Sequence, residues 1–381
     1  MSAPRLPAKR LAGFYFFYYA TVGAFLPYWA PYLAARGFTP AQMGLAFALM
    51  GVTRSIMPLA WGWWADHSDS RVKLIRWASV LSFLIFICIP FAPGIVWVGV
   101  LMVTYSLFWH ALLPQFEVVA LNHIEARGAD YSRVRLWGSV GFVAAVLGLG
   151  PILDRTGMLP LPWLVAFFWI GMVVAAWRVP DAALPGAEAR TAMSLWTVLK
   201  NPSVLALLAV CLCSQLSFAP YYNFFTLFLE RHGYSRGFAG FLWALGVVAE
   251  IGLFVVMGRV IARFGARQIM LAALAVTTLR WLLTAVLVDS LVILILIQLS
   301  HALTFGGYHA VAMNYVQRLF PLALQGRGQA IYNAVAYGLG GSIGSLASGF
   351  LWGGISPEAV FLSAALVAGL GTWIGWRKLP N

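Results

Sequence analysis

Charge is what this sequence has least of. Only 10% of its 381 residues are Asp, Glu, Lys or Arg, against about 25% in an ordinary soluble domain, while 61% are apolar. That shortage excludes a water-soluble globule. Cysteine is nearly absent as well. Cys88, Cys211 and Cys213 all fall in apolar runs and show no zinc-ligand spacing, so neither a disulfide framework nor a metal centre is expected. Long polar loops are missing too. No cluster of acid, histidine and nucleophile lies outside the apolar runs, which argues against an enzyme, and no cofactor is expected.

What the chain has in quantity is apolar length. Crossing a bilayer takes about 20 mostly apolar residues, and such runs recur twelve times, at 11–35, 43–65, 74–92, 95–121, 135–153, 161–178, 203–229, 237–258, 268–288, 291–317, 327–353 and 358–376. The breaks between them carry turn chemistry, as at Gly37-Phe-Thr-Pro40, Pro93-Gly94 and Ser356-Pro357. Sorted by connection, 19 Lys and Arg residues fall on the side of the N-terminus and only Arg36, Arg155, Arg231 and Arg236 on the other. This is a positive-inside bias, and it places both termini in the cytoplasm. The formal net charge of +13 therefore reports membrane topology, and no nucleic-acid partner is expected.

The chain also resembles itself. Gly62-Trp-Trp-Ala-Asp66-His-Ser-Asp-Ser-Arg71 after span 2 is echoed by Gly258-Arg-Val-Ile-Ala262-Arg263-Phe-Gly265-Ala-Arg267 after span 8, 196 residues later. Arg135, opening span 5, is echoed by Arg327, opening span 11, at an offset of 192. Two pseudo-symmetric six-helix bundles follow, at 1–178 and 203–381, joined by a cytoplasmic linker at 179–202. Tandem six-helix halves are expected to share a cavity near mid-bilayer. On these features the chain resembles the major facilitator superfamily, and its two short loops look like that superfamily's cytoplasmic gate motif. The resemblance implies gate roles for Gly62, Asp66 and Arg71, and for Gly258, Arg263 and Arg267. The first copy departs from the pattern at His67 and Asp69, the second at Ala262.

Four charges lie inside spans and away from their ends: Arg54, Glu117, Glu250 and Arg280. Each costs about 2.5–3.5 kcal/mol at a bilayer centre on insertion scales, so they must face water or one another. Arg280 and Glu250 lie at similar depth in their spans and form one candidate pair. His110 lies two helical turns before Glu117, and span 10 carries His301 and His309.

The resemblance narrows at Tyr131-Ser-Arg133-Val-Arg135-Leu-Trp-Gly138-Ser-Val-Gly141, with Glu117 eighteen residues before Arg135. Lactose permease and its relatives are similar in this pattern, which implies a substrate-binding pair in Arg135 and Glu117. Arg280, fifteen residues after Gly265, and His301 resemble the proton-coupling arginine and span 10 histidine of that group. The carboxylate expected three residues after the histidine is Thr304 here, leaving Glu250 to exchange the proton. Along almost its whole length the chain resembles the phenylpropionate permease family, in Tyr15-Phe-Phe-Tyr18, Phe25-Leu-Pro27-Tyr-Trp29, Arg54, Leu242-Trp-Ala-Leu-Gly246-Val-Val-Ala-Glu250 and His301-Ala-Leu-Thr-Phe305 through His309.

The expectation is an all-α membrane protein of twelve helices, a monomer of the bacterial inner membrane. It imports a small organic anion with protons by alternating access, and its partners are that substrate, protons and the lipid bilayer. Arg54 and Arg135 offer two guanidinium groups for one Glu117, leaving a spare fork for a carboxylate. Tyr15, Tyr18 and Tyr19 in span 1, with Tyr221, Tyr222 and Asn223 in span 7, offer an aromatic clamp with hydrogen-bonding tips, and His309 joins them. A neutral sugar or nucleoside permease and a non-transporting membrane sensor are the alternatives.

Overall fold

The computed structural model describes residues 7–68, 70–125, 129–181 and 195–380. Arg5, Asp69, Arg127, Arg190 and most of the 179–202 linker lie outside the described residues. No strand occurs among those described. The helices are α1 (Ala8–Phe25), α2 (Trp29–Ala35), α3 (Pro40–Asp66), α4 (Arg71–Phe86), α5 (Ile95–Glu125), α6 (Tyr131–Thr156) and α7 (Leu161–Arg178). The short α8 (Leu195–Leu199) precedes α9 (Pro202–Arg231), α10 (Arg236–Phe264) and α11 (Ala266–Val286). Then come α12 (Leu291–Leu319), α13 (Gln325–Gly354) and α14 (Pro357–Lys378).

Eleven helical segments are long and apolar enough to cross a membrane among the described residues. The first expected span, 11–35, forms as two helices instead, α1 and α2, parted at Leu26-Pro27-Tyr28, because Pro27 supplies no backbone N–H to carry α1 onward. Half of the twelve long helices among the described residues start at a side-chain cap. Ser70, Asp130, Asn201, Ser235, Ser290 and Ser356 each accept a hydrogen bond from a backbone N–H of the first turn. At Asp130 the hydroxyl and backbone N–H of Ser132 hold the carboxyl below its ordinary range.

Two segments are not α-helical in their hydrogen bonding. Ala302–Gly307 within α12 and Ala334–Gly340 within α13 are π-helical, a geometry that concentrates at functional sites.

The chain divides into two compact units. One comprises Met1–Arg36 and Ile56–Ala189, the other Gly37–Ser55 and Arg190–Asn381. Gly37–Ser55, which holds the first part of α3, thus groups with the second unit, and glycine is the reason. A Cβ on Gly44 would lie 2.7 Å from the Ser345 carbonyl oxygen and 2.8 Å from Gly349 Cα, so the first part of α3 lies backbone to backbone along α13. Small residues are what allow membrane helices to pack that closely. In the first unit, α1 and α6 meet in the same way, with a Cβ on Gly141 falling 2.1 Å from the Phe16 carbonyl oxygen.

Gly44→Val is expected to lower thermal stability in detergent by about 1–3 kcal/mol through overpacking. Gly252→Ala, where nothing lies within 4 Å of the added methyl, is expected to leave the melting temperature in place. Equal melting temperatures for the two variants would refute the close-packing account.

Candidate functional site

In the first unit the site forms where α1, α5 and α6 come together. Phe116 stacks on Phe14 at 3.8 Å between centroids and meets Tyr15 edge-on at 5.0 Å, fixing Glu117 beside α1. One oxygen of Glu117 accepts from two phenols, Tyr15 at 2.8 Å and Tyr131 at 2.6 Å. The other lies 3.7 Å from Arg135 Nε. The guanidinium of Arg135 stacks over Tyr19, 4.1 Å from its centroid, lies 5.5 Å from that of Tyr15, and donates to the Tyr19 hydroxyl. Gly138, one turn on from Arg135, leaves the space this needs, since a Cβ there would strike both Tyr19 and Arg135. Tyr18 lies against Trp109 and Tyr19. The expected pairing of Glu117 with Arg135 is thus present as geometry, with both side chains 25–30% exposed. An anionic acceptor, a planar cation and three phenols stand together there, a set able to bind hydroxyl or carboxylate groups.

The second unit treats its buried cation differently. Arg280 on α11 is 1% exposed, yet no carboxylate is within ion-pair distance of it among the described residues. It donates to His301 Nδ1 at 3.0 Å, Thr304 Oγ1 at 3.1 Å and Gln298 Oε1 at 3.2 Å, and lies against the faces of Tyr221 and Trp281, 4.5 and 4.6 Å from their centroids. Tyr221 donates to the same Gln298 oxygen at 3.1 Å. A guanidinium only donates, so His301 Nδ1 accepts. The neutral imidazole then carries its hydrogen on Nε2, which faces Glu250 Oε2 at 3.7 Å. Arg280 and Glu250 are therefore not a direct pair, because His301 stands between them. The buried N–H groups at Arg280 Nε and Gln298 Nε2 find no acceptor in the described structure.

A second cluster of this unit lies further along α12. His309 Nδ1 is 3.2 Å from the Tyr332 hydroxyl and 3.3 Å from that of Tyr337, and Arg54 stacks on Tyr337 at 4.9 Å from its centroid. Arg54, which with Arg135 was expected to leave one guanidinium fork spare, sits in the part of α3 that groups with the second unit, where the π-helical turn of α13 supplies Tyr337. Arg54 is exposed and pairs with no carboxylate among the described residues. Tyr222 lies near both clusters, 5.6 Å from Tyr221 and 6.3 Å from Phe305 between ring centroids.

Residues 8–363 match the family model described as the MFS_1 like family. A probable 3-phenylpropionic acid transporter of Escherichia coli strain K12 is 32% identical over 362 residues, covering 93% of each chain. The maltose permease of Geobacillus stearothermophilus is 29% identical over 92% of this chain and 89% of its own. Among solved structures, the nucleoside transporter NupG superposes with a TM-score of 0.80 at 16% identity, over 97% of this chain and 98% of that one. PepTSo, a transporter of the POT family, superposes at 0.74 and 14%, over 98% of each.

The chain belongs to the major facilitator superfamily. It is a multi-pass membrane transporter of small molecules, not an enzyme.

The two gate-like loops hold their arginines differently. In the first, Arg71 pairs with Asp66 and donates to Gln115, and Gly62 lies beside that glutamine. In the second, Ala262 replaces the acid and the arginines turn elsewhere. Arg267 donates to the carbonyls of Trp376 and Leu379 at 2.6 and 3.1 Å, capping α14, whose C-terminus favours a cation. Arg263 stacks on its neighbour Phe264 at 5.3 Å, and Gly258 has open space where a Cβ would stand. The two loops are alike in sequence but unlike in what they hold.

Tyr131, Gln298, Tyr332 and Tyr337 were not expected as partners. Tyr131 opened the quoted motif, so some signal existed. For Tyr332 and Tyr337 the only hint was polarity inside span 11.

Replacing Glu117 by Leu strands a part-buried guanidinium and two phenols, and is expected to cost about 1–3 kcal/mol. Glu117→Leu with Arg135→Leu is expected to cost less than the sum of the single variants. Strict additivity in detergent unfolding would show that the two side chains do not interact.

Proposed function

We propose that this transporter is a proton-coupled symporter of the bacterial inner membrane, with both termini cytoplasmic, importing a small organic anion of the arylpropionate kind by alternating access. The observation that carries the anion is Arg54: an exposed guanidinium, stacked on Tyr337 and without a carboxylate partner among the described residues, offers a fork to an incoming carboxylate. Within the second unit, Tyr222, Tyr337 and His309 supply flat surfaces for an aryl group; the first unit has its own set of polar contacts in Arg135, Tyr15, Tyr18 and Glu117. The name of the 32% identical relative supports the same substrate class.

Proton coupling rests on Glu250, Arg280 and His301. With Glu250 ionised, the Nε2–H of His301 faces a negative charge and Nδ1 stays an acceptor for Arg280. Protonating Glu250 removes that charge and loosens the alignment of His301, so the proton changes how the buried Arg280 is held. In this reading the first gate-like loop, held by Asp66 and Arg71, closes the cytoplasmic side.

The competing reading, a neutral sugar or nucleoside permease, has support in the maltose permease relative and in the hydroxyl-binding capacity of Glu117. Uptake of labelled 3-phenylpropionate into vesicles is expected to rise under an inward proton gradient and to be unaffected by excess maltose or uridine. Glu250→Gln is expected to abolish gradient-driven accumulation while keeping substrate exchange at equal pH. Accumulation indifferent to the gradient would overturn the coupling, and competition by maltose or uridine the substrate class.

A further inference from the structure

Three rings of α12 stand in file. His301 and Phe305 stack at 5.2 Å between centroids with planes 7° apart, and Phe305 and His309 at 6.4 Å and 11°. In a regular α-helix residues four apart drift round the axis by about 40° per step, so three successive rings would fan outward. The π-helical stretch Ala302–Gly307 lies between the two histidines, and its wider i→i+5 turn removes that drift. The file is a product of this local geometry.

Each end of the file is polar and its middle is not. At one end His301 holds Arg280 of α11, with Gln298 and with Tyr221 of α9. At the other His309 meets Tyr332 and Tyr337 of α13, with Arg54 of α3 stacked on Tyr337. Between them Phe305 is flanked from α9 by Phe218 at 6.0 Å and Tyr222 at 6.3 Å. The charged group level with Phe305 is Glu250 of α10: a Cβ on the next residue, Gly306, would lie 2.8 Å from Glu250 Cγ.

From this arrangement we infer that Phe305 is a water seal, and that at its level the proton passes on the Glu250 carboxyl alone. The inference rests on the proton-coupled reading above and assigns a role to a residue that reading does not use. A void between two imidazoles has polar partners on both sides and takes up water. Water there would carry protons by exchange of O–H bonds from one histidine to the other, with no substrate and no carboxyl involved. The Phe305 ring occupies that volume. A proton then crosses by forming an O–H bond on Glu250 at one end and breaking it at the other, a step tied to the carboxyl's own movement.

The test uses purified full-length protein in liposomes holding a pH-sensitive dye, with an imposed proton gradient and no substrate. Phe305→Ala is expected to admit protons severalfold faster than wild type, and Phe305→Leu, which keeps an apolar plug, at the wild-type rate. The double variant Phe305→Ala with Glu250→Gln is expected to retain the leak, since water then bypasses the carboxyl. Where Phe305→Ala loses its helical circular dichroism, Phe305→Val takes its place with the same expectation. A folded alanine or valine variant no leakier than wild type overturns the seal, and a leak abolished by Glu250→Gln overturns the bypass. Wild-type protein that moves 3-phenylpropionate without protons defeats the coupling reading itself, which the substrate-free leak measures separately.

Discussion

A guanidinium sealed among apolar helices must have its charge answered by something, and Arg280 imposes that demand on the second unit. No carboxylate reaches it among the described residues. Its positive charge is spread instead over a histidine nitrogen, two side-chain oxygens and the π faces of Tyr221 and Trp281. Cation–π contacts gain strength when desolvated, but they do not neutralise. The neighbouring elements are constrained accordingly: α9 must present Tyr221, and α12 must offer an imidazole in one tautomer. Unsatisfied N–H groups remain on Arg280 and Gln298, and a partly satisfied network is one that can change partners.

The first unit meets a similar demand by direct pairing. Arg135 has Glu117 close by, and the remaining capacity of that carboxylate is taken up by Tyr15 and Tyr131. One unit thus holds a cation with an adjacent acid, the other with a histidine interposed between cation and acid. Only the second arrangement makes the state of one residue, His301, visible to both Arg280 and Glu250. Under the proposed function, that asymmetry gives proton chemistry to the second unit and a set of ligand contacts to the first. It appears also in the two gate-like loops, where Asp66 pairs with Arg71 but Ala262 leaves Arg263 to stack on a ring and Arg267 to cap a helix.

Much of the fold was legible because bilayer physics writes it into composition. Twenty-residue apolar runs and turn chemistry mark the helices, and charges inside those runs stand out for their cost. Arg54, Glu117, Glu250 and Arg280 were picked out in this way and His301 and His309 by their polarity inside a span, whereas Arg135 came from the motif that holds it. Their partners were harder to see, because tyrosines and glutamines carry no such cost and do not stand out from other span residues. Arg54 shows the limit most plainly. Its place along the chain suggested the company of Arg135 and Glu117, but Gly44 lets the start of α3 lie against α13, and Arg54 goes with it.

The sequence by itself determined that the chain lives in a bilayer, that it is built twice over, and which side chains are too costly to face lipid, because each of these follows from local composition and spacing. Tertiary structure alone decided which of those costly side chains meet. His301 stands between Arg280 and Glu250, Tyr337 lies under Arg54, and the two π-helical turns align residues that α-helical periodicity would scatter. Pairing within a few ångströms depends on how separate helices dock, and docking is set by glycine contacts and ring packing that no single segment encodes.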